Sequence, residues 1–250
     1  MLHQVQRCLP ATGRVVLALA ATMGLVAGLA RVAAAEYIPL PVKWSQVPPD
    51  RYGGDWASSG SQVVADDFVC GDRAPIAAVR WWGSYLGEMA APRPTGHVGP
   101  FAITFYYSAP GATAPHPLSL PGTAVAAYPQ ITAQEEVVGR EENDEFVYRY
   151  DAYLPQAFDQ WLYSQNPNNG IQGELWMSVV NQFEPDWGWE AAAVNHPVVD
   201  YAAYWHLPQG WQSSQNTDMA FELMVPEPAT LALMSLGAAG LAAVRRRRSK

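Results

Sequence analysis

The stretch "FAITFYYSA" at 101–109 puts Phe101, Ile103, Phe105 and Tyr107 on one side of an extended chain, and this period of two constrains the fold more than any other feature. "DEFVYRYDAYL" at 144–154 repeats the pattern with Phe146, Tyr148 and Tyr150, and "ELWMSVVNQ" at 174–182 with Leu175, Met177 and Val179. Shorter apolar and aromatic runs at 61–70, 76–87, 201–207 and 218–225 read as further strands. No long amphipathic helix is visible between Glu36 and Val225, and "QAFDQWLYSQ" at 156–165 is the one short helical candidate. Turn signals separate the runs: Pro48-Pro49-Asp50, Gly53-Gly54-Asp55, Pro92 to Gly99, Pro115-His116-Pro117 and Asn166 to Gly170. The pattern predicts an all-β chain folded as a single, jelly-roll-like β-sandwich. The Ala/Pro-rich patches at 90–100 and 109–129 are expected to be long loops within it.

Both ends of the chain stand apart from this body. Arg7 and Arg14 make a basic start, Val15 to Ala30 carries no charge, and Ala33-Ala34-Ala35 offers the small residues that signal peptidase requires. Residues 1–35 are predicted to be a signal peptide cleaved after Ala35, with a retained anchor as the alternative. The exported body, 36–225, holds 7 Lys+Arg against 22 Asp+Glu, a net charge of −15 with histidines neutral. Such a surface repels nucleic acid and anionic lipid, suits solubility outside the cell, and can attract divalent cations. Cys8 leaves with the signal peptide, so Cys70 has no partner for an intramolecular disulfide; between Phe68 and Val69 on one side and Gly71 on the other it reads as a small buried hydrophobe.

At the other end, Ala229 to Val244 is free of charge and is followed by Arg245, Arg246, Arg247 and Arg248. Sixteen helical residues span roughly 24 Å, short of a hydrocarbon core of about 30 Å, and flanking arginines can make up the difference by snorkelling. The arginine cluster would keep that end in the cytoplasm and leave the body outside the inner membrane. Pro226-Glu227-Pro228 immediately before the span adds a part that a plain tail anchor does not need. Together the three parts closely resemble the PEP-CTERM sorting signal, here 226–250. The resemblance implies a Gram-negative bacterium and an exosortase-type enzyme that recognises the motif and processes the tail. It also implies only a transient stay in the inner membrane, a destination in the cell envelope or matrix, and an association with exopolysaccharide. The two prolines agree with an extended recognition segment.

The body itself carries "KWSQVPPD", "GGDWASSG", "VADDFVC", "PIAAVRWWGSYLG", "DWGWE" and "DMAFEL" between about Lys43 and Leu223. These resemble an extracellular domain found in bacterial PEP-CTERM proteins. That likeness implies a fold and no chemistry.

Catalytic signatures are largely missing. There is no Gly-x-Ser-x-Gly, no phosphate-binding Gly-x4-Gly-Lys, no His-Glu-x-x-His and no paired cysteine. His116 and His196 each precede a proline, which places them in extended segments. The ten tryptophans suggest stacking on sugar rings, and Trp81, Trp82, Trp187 and Trp189 are the candidate glycan-binding residues, although core packing is the favoured role for most of them. Trp81 and Trp82 are adjacent and must face opposite ways on a strand, so at most one is expected to be core while the other is exposed. Asp66, Asp67 and Asp218 form an oxygen-rich set that could hold Ca2+ if the first and last strands meet, with turn capping as the plainer role. "EENDE" at 141–145 reads as a solvated turn, with cation binding a middle option before acid–base chemistry. The reading is therefore a non-catalytic envelope or matrix protein with affinity for polysaccharide. A carbohydrate-active hydrolase and a purely structural surface protein are the alternatives.

Overall fold

The computed structural model describes residues 40–50, 52–69, 71–94, 96–110, 119–193, 202–206, 210–213 and 217–226. The proposed signal peptide, Cys70, His116, His196, Glu227, Pro228 and Arg245 to Arg248 lie outside them. Among the described residues no helix is long and apolar enough to cross a membrane.

Twelve strands make one antiparallel sheet among these residues. They are β1 (Val42–Gln46), β2 (Asp55–Ala57), β3 (Val63–Val69), β4 (Ile76–Tyr85), β5 (Gly96–Pro110), β6 (Ser119–Arg140), β7 (Phe146–Phe158), β8 (Glu174–Asn181), β9 (Trp187–Glu190), β10 (Ala203–His206), β11 (Gly210–Ser213) and β12 (Phe221–Met224). The order across the sheet is β1-β12-β4-β7-β6-β5-β8-β3-β10-β11, while β9 hangs on β4 and β2 on β9. The short helix α1 (Gln160–Ser164) is capped by Asp159, whose carboxylate accepts the Leu162 N–H at 3.2 Å.

The sheet curls until its faces meet. Five strands separate β3 from β12, yet Phe68 of β3 packs edge-on against Phe221 of β12 at 6.4 Å and against Phe105 of β5 at 6.0 Å. The all-β sandwich expected from the alternation is thus built from one curled sheet. The alternating sets fill its interior: Phe101, Ile103, Phe105, Tyr148, Tyr150, Leu175, Met177 and Val179 are all buried there. The opposite face is partly covered as well. Trp176 of β8 packs with Ala65, Ala203 and the half-buried Trp211 beneath the β10–β11 hairpin.

On the outer face a polar row crosses five strands. Ser45 Oγ donates to Glu222 Oε1 at 2.9 Å, Arg80 reaches Glu222 at 2.9 Å and Asp151 at 2.6 Å, and Arg149 joins Asp151 at 3.0 Å and Glu136 at 2.5 Å. The register dictates this, because Ser45 stands opposite Glu222, Glu222 opposite Arg80, Arg80 opposite Asp151, and Arg149 opposite Glu136.

The expected loop at 109–129 is largely strand. β6 begins at Ser119 and runs 22 residues, and β5 begins at Gly96 inside the other patch. Proline is tolerated because the β5–β6 ladder is irregular. Its register shifts between Phe101 and Ile103, where the partners pass from Ile131 to Tyr128 and leave Pro129 in the bulge.

Candidate functional site

Trp81 lies flat on Tyr150 with ring centroids 5.4 Å apart and meets Phe101 edge-on at 5.1 Å. Trp187 donates its Nε1–H to Tyr150 Oη at 3.2 Å, and Trp189 donates to the Ala220 carbonyl at 2.9 Å. All three are fully buried. Trp82 faces the other way, as adjacency on a strand requires, but it too is only 8% exposed, packed with Val147, Ala192 and Ala220. None of the four offers a ring face to water, which corrects their candidacy as a sugar platform and the expectation that one of Trp81 and Trp82 is exposed. The physical reason is that covering segments lie on both faces of β4. Aromatics nearer the surface occur elsewhere. Trp205 and Trp211 are direct partners in the β10–β11 hairpin, 5.5 Å apart and both half-buried, and Tyr106 meets Trp211 at 5.7 Å.

The middle of β3 meets the segment that leads into β12 at Asp66. Asp66 accepts the Met219 N–H at 2.7 Å and the Asp67 N–H at 3.1 Å. It is buried within β3 and ties that strand to the segment before β12, which is a different task from the turn capping expected for it. Asp66 and Asp67 are neighbours on β3, opposite Met177 and Trp176, so their side chains leave opposite faces and do not converge on one ion.

Other carboxyls do converge. Asp55, Glu141 and Glu145 each offer an oxygen, and these atoms lie within 4.8 Å of one another. Asp55 belongs to β2, and its Oδ2 accepts from Ser84 Oγ of β4 at 2.5 Å, across Gly188 of β9. That crossing requires glycine, because a Cβ at 188 would fall 1.8 Å from the same Oδ2. Glu141 and Glu145 close the β6–β7 turn, where the Glu141 N–H bonds the Glu145 carbonyl at 2.9 Å and Asp144 takes φ +70°. Glu145 Oε1 accepts the Gly87 N–H at 2.6 Å and its Oε2 accepts Asn143 Nδ2–H at 3.0 Å. Glu190, opposite Asp55, accepts the N–H groups of Gly53 and Gly54 through Oε1 at 3.0 and 3.3 Å, and its side chain lies within hydrogen-bonding reach of Glu141.

The electrostatics of this group are unfavourable to charge. Burial, with the nearby Asp55 charge, lifts Glu141 above the usual carboxylate range; burial and the Glu141 charge lift Glu190 well above it; burial also raises Asp55. Among the described residues no Lys or Arg pairs with any of the four. Chemically the group can hold a cation through hard oxygen donors or share protons. "EENDE" announced half of it, and its two flanking glutamates are buried, contrary to a wholly solvated turn. Asp55 and Glu190 carry no local signal, since each is brought in by strand pairing.

A second buried acid is Glu135 of β6, which accepts the Tyr85 O–H at 2.8 Å, with Tyr150 also in reach. Burial raises its pKa, and the Arg93 guanidinium, 3.6 Å above the Tyr85 ring, partly offsets this.

Among the described residues the ladder ends at Val225. Val225 N–H bonds the Pro41 carbonyl at 3.0 Å, and Pro226 has no N–H with which to extend the ladder. Comparison with known families divides the chain at this point. Residues 42–224 match the family model described as a domain of unknown function (DUF7901), and residues 225–248 match the PEP-CTERM protein-sorting motif. The motif indicates exosortase-dependent sorting to the envelope. No curated protein and no solved structure gives a significant match.

Proposed function

The chain belongs to the DUF7901 family and ends in a PEP-CTERM sorting signal, and from that premise we propose that its exported domain is a non-catalytic component of the envelope or extracellular matrix. Signal peptidase and an exosortase-type enzyme process its two ends, in a Gram-negative host. The observation that carries the reading is the burial of the convergent carboxyls: Glu190 is 0%, Glu145 4% and Glu141 6% exposed. A glycosidase needs two carboxyls flanking a bond of a bound sugar chain, and acids enclosed by strands and a turn offer no such access. Incubation of the purified 36–225 domain with the host's exopolysaccharide should release no oligosaccharide. Steady release that disappears in Glu141→Gln or Glu190→Gln would move the protein to the hydrolases.

Affinity for polysaccharide without cleavage is a second reading, favoured by the half-buried Trp205–Trp211 pair at the sheet edge. Stacking on such rings is weak per site, and many copies in a matrix would add avidity. Retention on immobilised exopolysaccharide should fall in the double variant Trp205→Ala, Trp211→Ala and be unchanged in Trp81→Phe. Equal retention of all three would remove the hairpin from consideration.

A further inference from the structure

We propose that Asp55, Glu141 and Glu145, backed by Glu190, form a Ca2+ site that ties the β2–β9 ribbon to the β6–β7 turn. Four observations carry it. The three ligand oxygens lie within 4.8 Å of one another, close enough for one Ca2+ at about 2.3–2.6 Å per bond to touch all three. All the donors are hard oxygens, with no imidazole or thiolate that would favour zinc. Two buried oxygens beside the cluster, Glu141 Oε1 and Glu190 Oε2, have no hydrogen-bond donor, and Glu190 is fully buried. Such atoms are costly unless a cation or proton meets them. Finally, no basic side chain among the described residues pairs with these acids, so none of those residues supplies their compensating charge.

The placement gives the ion a structural task. Among the described residues β2 pairs with β9, β9 joins the main sheet through three residue pairs with β4 and bonds between Glu190, Trp189 and Ala220, and a single bridge from Tyr52 to Glu141 links the start of this ribbon to the β6–β7 turn. A cation held by Asp55 on β2 and by both ends of the 141–145 turn would cross-link this ribbon to the β6–β7 hairpin, which is remote in sequence. Ser84, bonded to Asp55, and Gly53 and Gly54, bonded to Glu190, orient the acids around it. This assignment is independent of any glycan binding.

The test uses the purified 36–225 domain, which contains every strand of the described residues and whose first and last described strands pair with each other. After exhaustive chelation, calorimetric titration with CaCl2 should show one site of roughly 10⁻⁵–10⁻³ M. Thermal unfolding in Ca2+ at tenfold the dissociation constant should shift upward by about 3–6 °C relative to EDTA, and Mg2+ at equal concentration should shift it less. Glu141→Gln and Glu145→Gln should each weaken Ca2+ binding about tenfold or more. In EDTA each should melt no lower than the parent, because each removes a crowded charge. Glu142→Gln, an exposed neighbour in the same turn, should leave the response intact. A parent domain that neither binds Ca2+ nor shifts overturns the proposal even if acid stabilises it, since protons would then be the compensating charge. Equal responses in the parent and both variants, or an equal response to Mg2+, overturn it as well.

Discussion

Asp55 of β2 stands directly opposite Glu190 of β9, so two carboxyls share one face of a ladder at a position where opposite charges are the stabilising choice. The sheet accepts this because Glu190 Oε1 takes two backbone N–H groups and Asp55 takes the Ser84 hydroxyl. Hydrogen bonding does not cancel the repulsion. In EDTA at neutral pH, Glu190→Gln should therefore raise stability by about 1–2 kcal/mol: the amide oxygen still accepts from Gly53 and Gly54, while its N–H group can donate to Glu141. Urea unfolding measures this, and a loss of stability would show that the charge is already compensated within the chain.

The opposite result is expected at Arg80. It lies between Asp151 and Glu222, with Asp151 almost wholly buried. Arg80→Met should cost about 1–3 kcal/mol, because Glu222 loses its ion pair and the buried Asp151 keeps only Arg149. Arg80→Lys should recover only part, since a single ammonium cannot reproduce the guanidinium's divergent bonds to both acids. Matching urea midpoints for Met and Lys would refute the second claim.

Close approach makes Gly83 sensitive to a single methyl group. A Cβ there would sit 2.4 Å from the Gly188 carbonyl oxygen and 2.7 Å from the Trp187 ring. One is backbone and the other is a buried indole, so neither can yield cheaply. Gly83→Ala should destabilise by about 3 kcal/mol or more, with Trp187 fluorescence shifting toward that of an exposed indole. A native spectrum and an unchanged midpoint would show that β9 can slide away from β4.

These features differ in how far the sequence announced them. Strands at 101–109, 144–154 and 174–182 could be read because one face alternates into a single core, and Phe105, Tyr150 and Met177 are where the period puts them. β6 could not, because Pro121, Pro129 and a run of alanines resemble a loop until the bulges opposite β5 accommodate them. The tryptophans misled for a related reason. Alternation tells which residues share a face, but not whether a second layer covers it, and for Trp82 one does. The carboxyl group depends on Asp55 and Glu190, 135 residues apart, meeting through one antiparallel pair, and no local pattern encodes that.

Glu135 gives the fold a pH dependence with a definite sign. Its pKa in the folded chain is raised by burial, so the folded state holds that proton more tightly than the unfolded state does. The resulting stability is fully present below the unfolded pKa of about 4.3 and is lost as pH rises through the folded value. Tyr85, Tyr148 and Tyr150 pack around it, and Arg93 and Glu88 are the nearby charges of opposite effect. In Glu135→Gln the amide oxygen still accepts the Tyr85 O–H. The variant should lose this part of the slope between pH 5 and 8 and be the more stable protein at pH 8. Parallel profiles of urea midpoint against pH for the two proteins would exclude Glu135 as the source.

The sorting tail can be separated from the fold by mutation. Among the described residues Val225 makes the last ladder bond, to Pro41, and the Pro-Glu-Pro segment begins at the next residue. Recognition of an extended Pro-Glu-Pro segment and stability of the domain should then be independent. Replacing Pro226 and Pro228 with Ala adds a backbone donor at each position and lets the segment join the helix predicted for 229–244, which removes the extended shape. In the native host this double variant should be exported and inserted but not processed, and should accumulate in the inner membrane at nearly full length. Its domain, released by protease from that membrane, should melt at the parent temperature. Replacing Arg245 to Arg248 with Ser should act differently, weakening retention and orientation in the membrane before processing. Normal tail processing of the Pro226→Ala, Pro228→Ala chain would remove the prolines from recognition, and a lowered melting temperature would show that the motif contributes to the fold.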